Sequence, residues 1–185
     1  MYHDVIMAGF GGQGILLIGN LLAEAALAEG LQVTYLPSYG VEMRGGSANC
    51  TVVVSDREIG SPAVGSTQAL IAMSRPALER YHDSLKPGGL LILNASLIEP
   101  AEVERKDIEL LALPLNQIAL ELEHQRLANM VALGLYLAKT RVVKLESVAH
   151  GFEEVLSERN RAFIPQNLAA IRKGMELAGN SGGRP

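Results

Sequence analysis

Near the start of the chain, Gly9-Phe10-Gly11-Gly12-Gln13-Gly14 sets glycines at the spacing G-x-G-x-x-G. Where such a run leaves a strand and opens a helix, the backbone turns tightly and approaches a ligand closely. The free N–H groups of the first helical turn then favour a phosphate or a carbonyl oxygen. A dinucleotide also needs a carboxylate at the end of the second strand to bind a ribose hydroxyl, and this chain has Tyr35-Leu36-Pro37 there. That argues against a nicotinamide coenzyme. Two readings of the glycines stay open: an anion-facing loop, or a tight turn that lets another element pack closely. Gln13 favours the first, because an amide displayed at a helix start is better suited to recognition than to packing.

A second run, Ser38-Tyr39-Gly40-Val41-Glu42-Met43-Arg44-Gly45-Gly46-Ser47-Ala48-Asn49, follows the second strand. In an open α/β sheet, loops at the carboxyl ends of the strands build the ligand crevice, so this run is expected beside the first glycine loop. Tyr39, Glu42, Arg44 and Asn49 supply stacking, acceptor and donor groups among Gly40, Gly45 and Gly46. A solvated loop with an internal Glu42–Arg44 pair is the simpler alternative.

The elements that must position these runs follow from periodicity and punctuation. Residues 4–8 form a short apolar run closed by glycines, the pattern of a buried parallel strand. Residues 15–29 predict a helix with apolar residues on nearly all sides, ended by Gly30, and residues 32–36 predict a second strand stopped by Pro37. Residues 48–55 are rich in β-branched side chains and precede a turn at 56–58, which predicts a hairpin onto Ile59-Gly60. Further strands are expected at 69–73, 90–93 and 108–113, with a helix over 76–85 and a stop at Lys86-Pro87-Gly88-Gly89. Helices are expected over 115–123, 126–139, 145–156 and 160–176, and Gly134 inside an apolar helix points to close helix packing. The expected fold is α/β and Rossmann-like: a doubly wound, mostly parallel sheet with flanking helices and a helical C-terminal region. Residues 1–180 read as a single domain and 181–185 as a disordered tail.

Composition excludes several classes of function. With 16 basic against 20 acidic residues, the net charge of −4 gives no footprint for nucleic acid or an anionic membrane, and no apolar stretch is long enough to span one. Cys50 is the single cysteine, too few for an iron–sulfur cluster or a structural zinc, and no metal ligands are assigned. His3, His82, His124 and His150 lack ligand spacing and are expected at the solvated surface. The N-terminus has no basic segment and cleavage site of a secretory signal, so a cytoplasmic location is expected and the sequons at Asn49 and Asn94 are chance matches. Apolar side chains plus glycine make up about 55% of the chain, above the ordinary share, which leaves apolar surface for a partner.

The two runs together, Gly9 to Gly14 and Ser38 to Gly46 with Asn49, resemble the gamma subunit of 2-oxoacid:ferredoxin oxidoreductases, the pyruvate/ketoisovalerate oxidoreductase gamma family. The resemblance continues through the order of elements to Ile164-Pro165-Gln166-Asn167-Leu168 and Ile171-Arg172-Lys173-Gly174-Met175-Glu176. It implies a complex that decarboxylates a 2-oxoacid on thiamine diphosphate with magnesium, passes electrons through iron–sulfur clusters to ferredoxin, and releases an acyl-coenzyme A. The implied partners are alpha, beta and a ferredoxin-like delta subunit, which carry the thiamine and the clusters. This chain is expected to bind no cofactor alone and to supply no catalytic residue. Gly9, Gly11, Gly12, Gln13, Gly14, Tyr39, Glu42, Arg44, Gly45, Gly46 and Asn49 are carried over as coenzyme A-facing or subunit-interface residues.

The absence of a fused ferredoxin-like domain leans the substrate towards 2-oxoglutarate, with pyruvate and branched-chain oxoacids open. The small subunit of indolepyruvate:ferredoxin oxidoreductase is a sister reading. A free-standing nucleotide-binding enzyme and an assembly module without coenzyme contact are readings of other classes. A homodimer of the isolated chain, substituting for the missing subunits, is a further expectation.

Overall fold

The computed structural model describes residues 1–39 and 46–180. Its elements, in chain order, are β1 (Tyr2–Phe10), α1 (Ile15–Ala28), β2 (Gln32–Tyr39), β3 (Ser47–Ser55), β4 (Thr67–Ala72), α2 (Arg75–Tyr81), β5 (Leu85–Asn94) and β6 (Glu109–Leu113). The helices α3 (Leu115–Glu121), α4 (Ala128–Thr140), α5 (Leu145–Val155) and α6 (Ile164–Asn180) follow. One sheet has the order β2-β3-β1-β4-β5-β6. β1, β4, β5 and β6 are parallel, and β3 runs antiparallel to both β1 and β2. This is the expected mostly parallel α/β sheet with flanking helices and a helical C-terminal region.

β1 is apolar on both faces because both faces are covered. Val5 and Met7 join the larger core with α1 and α4, whereas Ile6 and Ala8 join a smaller core with Ala77 and Leu78 of α2. Period-2 alternation cannot arise in such a strand, so its sequence is a continuous apolar run. α4 is buried almost all round, from Ala128 to Leu137, and its Gly134 meets α6 at Gly174. A Cβ on Gly134 would run into the Ile171 carbonyl and lie 3.1 Å from the Gly174 Cα, the close helix packing its position predicted.

Several boundaries differ from expectation, for physical reasons. β2 continues through Pro37 to Tyr39, because it is an edge strand and one side of its backbone has no ladder to lose. The expected hairpin onto Ile59-Gly60 is absent. β3 instead forms a hairpin with β2 and inserts between β2 and β1, so its β-branched residues are paired on both sides. The expected stop at Lys86–Gly89 lies inside β5, where the pairing jumps from Thr67↔Leu85 to Ala69↔Leu90 and the surplus residues bulge out. α2 ends at Tyr81, with a 3-10 turn at His82–Ser84, and α6 begins only at Ile164, after a 3-10 turn over Glu158–Phe163. Of the histidines only His150 is exposed. His3, His82 and His124 are half-buried, in the first strand and in the short connections where they fill gaps between elements, and His124 meets Phe163 edge to face at 6.3 Å. Residues 181–185, expected as a tail, lie outside the described residues.

Candidate functional site at the crest of the sheet

The first helix and first strand meet the neighbouring parallel strand at one point. β1 sends the chain through α1 towards β2 on one side, and β4 sends it through α2 towards β5 on the other, so the carboxyl ends of β1 and β4 flank the place where the winding reverses. The glycine loop sits there. Gly9 is buried, and a Cβ on it would meet the Gln13 carboxamide, with Met73 Cβ at 3.0 Å and Ile15 Cδ1 at 3.1 Å. Gly12 (φ 94°) and Gly14 (φ 72°) adopt left-handed backbone that disfavours any side chain.

Gln13 corrects one reading of the sequence. Its Oε1 accepts from the Phe10 N–H at 2.7 Å and its Nε2 donates to the Met73 carbonyl at 3.1 Å. The amide is spent on closing the loop and tying it to the end of β4, so it shapes the crest rather than being displayed for a ligand. Gly14 is held in the same way. The buried Asn129, at the start of α4, donates from Nδ2 to the Gly14 carbonyl at 3.0 Å, while its Oδ1 accepts from the Met130 N–H. With the loop fixed at both ends, Gly12 stays exposed; among the described residues no atom lies near its missing Cβ and no side chain caps the N-terminus of α1. Donor groups of a helix start are thus presented at an open crest.

The two glycine-containing runs do meet. The Gly11 N–H donates to the Gly46 carbonyl at 2.8 Å, and Asn49 lies on β3 opposite Ala8 of β1. Tyr39 is the last residue of β2, paired with Ala48. Glu42, Arg44 and Gly45 lie outside the described residues. Gly9, Gly11, Gly12, Gln13, Gly14, Gly46 and Asn49 are therefore gathered at one end of the sheet, as the topology requires.

A cavity of about 440 Å³ opens beside the crest, on the face of α3 and α4, lined by Gly12, Gln13, Met73, Asn116 and Arg126 among others. Asn116 is positioned by a chain of amides: the buried Asn94, at the end of β5, donates from Nδ2 to Asn116 Oδ1 at 3.0 Å. Among the described residues Arg126 is the one ionisable side chain lining this cavity. Asn129, Asn116 and Arg126 carry no motif spacing. The only signal was a polar residue opening or interrupting an apolar run, as Asn129 does before Met130-Val131-Ala132-Leu133.

The arrangement can hold an anion or a polar carbonyl. Cys50 is buried and its thiol points at the Ile15 carbonyl at 3.8 Å, and burial pushes its pKa up to about 12. It is a packing residue beside Gly19, too deep and too solitary to ligate an iron–sulfur cluster. Among the described residues no group of three His, Cys, Asp or Glu side chains could hold a metal ion. The strand position that would carry a ribose-binding carboxylate holds Tyr35, whose hydroxyl donates to the Leu16 carbonyl at 3.1 Å and pins β2 to α1. Among the described residues no helix is long and apolar enough to cross a membrane.

Comparison with known proteins agrees with this geometry. Residues 4–177 match the family described as pyruvate ferredoxin/flavodoxin oxidoreductase. The 2-oxoglutarate synthase subunit KorC of Methanocaldococcus jannaschii is 33% identical over 180 residues, covering 96% of this chain and 95% of that one. The ketoisovalerate oxidoreductase subunit VorA of Methanothermobacter thermautotrophicus is 37% identical over 175 residues, but the chain spans only 36% of its length. Among solved structures, the gamma subunit of keto/oxoacid ferredoxin oxidoreductase from Geobacter sulfurreducens superposes with a TM-score of 0.80 at 31% identity, over 96% of this chain and 99% of that one. The 2-oxoglutarate:ferredoxin oxidoreductase of Magnetococcus marinus, a structure with 2-oxoglutarate, coenzyme A and succinyl-CoA bound, gives 0.87 at 25% identity, over 97% of this chain and 31% of that one. With its fold and nearly its whole length shared with these proteins, the chain belongs to the pyruvate ferredoxin/flavodoxin oxidoreductase family, as a homologue of its gamma subunits.

Proposed function

We propose that the chain is the gamma subunit of a thiamine diphosphate-dependent 2-oxoacid:ferredoxin oxidoreductase complex of the cytoplasm, and that its crest faces the coenzyme A of that complex or the subunits that bind it. Residues 1–180 act as one unit in this reading. Thiamine diphosphate supplies the stabilised carbanion on which a 2-oxoacid loses carbon dioxide; that cofactor and the clusters belong to the partner subunits. The contribution of this chain is positional: a rigid glycine crest, with the helix-start donors of α1 and the Arg126 guanidinium beside it, suited to a phosphate or an amide carbonyl of coenzyme A.

The observation that carries this reading is the double clamp on the loop. Gln13 and Asn129 use their own amides to hold Gly9 to Gly14, and Gly12 stays exposed between them. The coenzyme A bound in the related Magnetococcus structure supports the same assignment. The lean to 2-oxoglutarate rests on KorC, which this chain matches end to end, whereas VorA is a much longer polypeptide.

A second reading, an assembly surface without coenzyme contact, is favoured by the exposed apolar side chains of Phe10 at the crest and Leu36 on the edge strand β2, at 38% and 46% exposure. Complexes assembled with Arg44→Ala and with Arg126→Ala separate the two. A coenzyme-facing crest predicts a raised KM for coenzyme A with little change in kcat. An unchanged KM in both variants leaves only the assembly role.

A further inference from the structure

A second cavity, of about 240 Å³, lies on the opposite face of the sheet, between the end of β1, the start of β3 and helix α2. Phe10, Ser47, Asn49, Ser74, Arg80 and Tyr81 supply its side-chain functions, and among the described residues no carboxylate lines it. Ser74 is 1% exposed, and its hydroxyl has no hydrogen-bond partner among the described residues. The local sequence explains why. Ser74 stands at the N-cap of α2, where its hydroxyl would ordinarily accept from the second or third helical N–H. Pro76 removes the second of these donors, and the Ala77 N–H is already taken by the Ser74 carbonyl at 3.1 Å. A buried hydroxyl left in this way costs stability unless something else engages it.

The other donors around it are also unpaired among the described residues. Arg80 is exposed, forms no ion pair among the described residues, and lies over the Tyr81 ring at 5.5 Å, which holds the guanidinium plane at the cavity. Asn49 sits opposite Ala8, on the same face of the sheet, with its carboxamide unpaired among the described residues. A guanidinium, an amide and a hydroxyl around a cavity with no opposing negative charge among the described residues form a donor set for an oxyanion.

We propose that this cavity binds a phosphate group, held by Arg80, Asn49 and Ser74, as a site on the α2 face of the sheet, across the crest from the 440 Å³ cavity. The coenzyme's own phosphates and free inorganic phosphate are the two sources of that chemistry. The proposal does not depend on the crest facing coenzyme A.

The test is amide NMR of the full chain titrated with inorganic phosphate and, separately, with coenzyme A. Phosphate is expected to shift the Ser74 and Asn49 signals saturably, with affinity falling about tenfold in Arg80→Gln, as loss of a charge-assisted hydrogen bond predicts. Ser74→Ala gives an independent readout. A capping serine loses stability when replaced, whereas here the thermal midpoint is expected to hold or rise while phosphate affinity falls. Coenzyme A moving the Ser74 and Asn49 signals names the coenzyme as the source; phosphate moving them alone names the free ion. Absence of a saturable shift at these residues, or equal affinity in Arg80→Gln, overturns the site. Failure of coenzyme A to move the signals of Gly11 to Ile15 counts against the coenzyme reading of the crest and leaves this cavity standing.

Discussion

Gln13 Nε2 donates to the Met73 carbonyl at 3.1 Å, joining the glycine loop after β1 to the end of β4 across the point where the sheet reverses its winding. The same carboxamide accepts from Phe10 N–H, so one side chain sets both the curvature of the loop and its distance from the neighbouring strand. Gln13→Ala is expected to lower unfolding stability by about 1 kcal/mol, the net worth of a partly exposed hydrogen-bonded pair. Urea denaturation measures it, and faster hydrogen exchange at Phe10 N–H accompanies it.

Asn129 does the corresponding work at Gly14 from a residue 115 positions away in sequence. Asn129→Leu leaves the Gly14 carbonyl without this donor and places a branched side chain against a crowded backbone. A loss of about 2 kcal/mol is expected by thermal unfolding, within the range for a buried polar group stripped of its partner. Asn129→Asp retains the acceptor for Met130 N–H but not the donor, and is expected to recover little of it.

Gly134 and Gly174 let α4 and α6 approach until a single methyl group would collide with opposing backbone. Backbone cannot move aside as a flexible side chain can, so Gly134→Ala is expected to destabilise by about 2–3 kcal/mol despite alanine's better helix propensity. Circular dichroism melts of Gly134→Ala, with an exposed helical Gly179→Ala as the comparison expected to be neutral or stabilising, check this.

Cys50 gives the pH dependence. Burial raises its pKa from 9.0 to about 12, so the folded state keeps its proton where the unfolded chain has lost it. The stabilisation is complete below the unfolded value and is lost as pH rises from there towards the folded value, at up to about 1.4 kcal/mol per pH unit. Stability of the wild-type chain is expected to fall more steeply above pH 9 than that of Cys50→Ala. At pH 8 a thiol reagent is expected to label Cys50 only in denaturant.

Much of this was legible in the sequence because it is local. The glycine spacing, the apolar run before it and the helix after it fix the β1-loop-α1 unit within residues 2 to 28, and the meeting of Gly11 with Gly46 follows from sheet topology. What escaped reading is non-local. β3 inserts between β1 and β2 because its β-branched residues can pair on both edges, and nothing in residues 47–55 names the strands they will pair with. Gln13 was read as displayed because its partner, a backbone carbonyl 60 positions away, has no sequence signature. Asn129 was hidden in an apolar helix, and the unpaired hydroxyl of Ser74 emerges only when Pro76 is seen to take away its donor.

What this chain assembles with tests the subunit assignment most directly. Expressed with a tag in the cells that encode it, the chain is expected to copurify with thiamine- and cluster-bearing subunits, and the eluate to oxidise a 2-oxoacid only when coenzyme A and a low-potential acceptor are both supplied. A panel of oxoacids then names the substrate, with 2-oxoglutarate expected to be turned over fastest. A chain that elutes alone and binds a nicotinamide nucleotide tightly would contradict the subunit assignment and return the glycine loop to the role of a dinucleotide site.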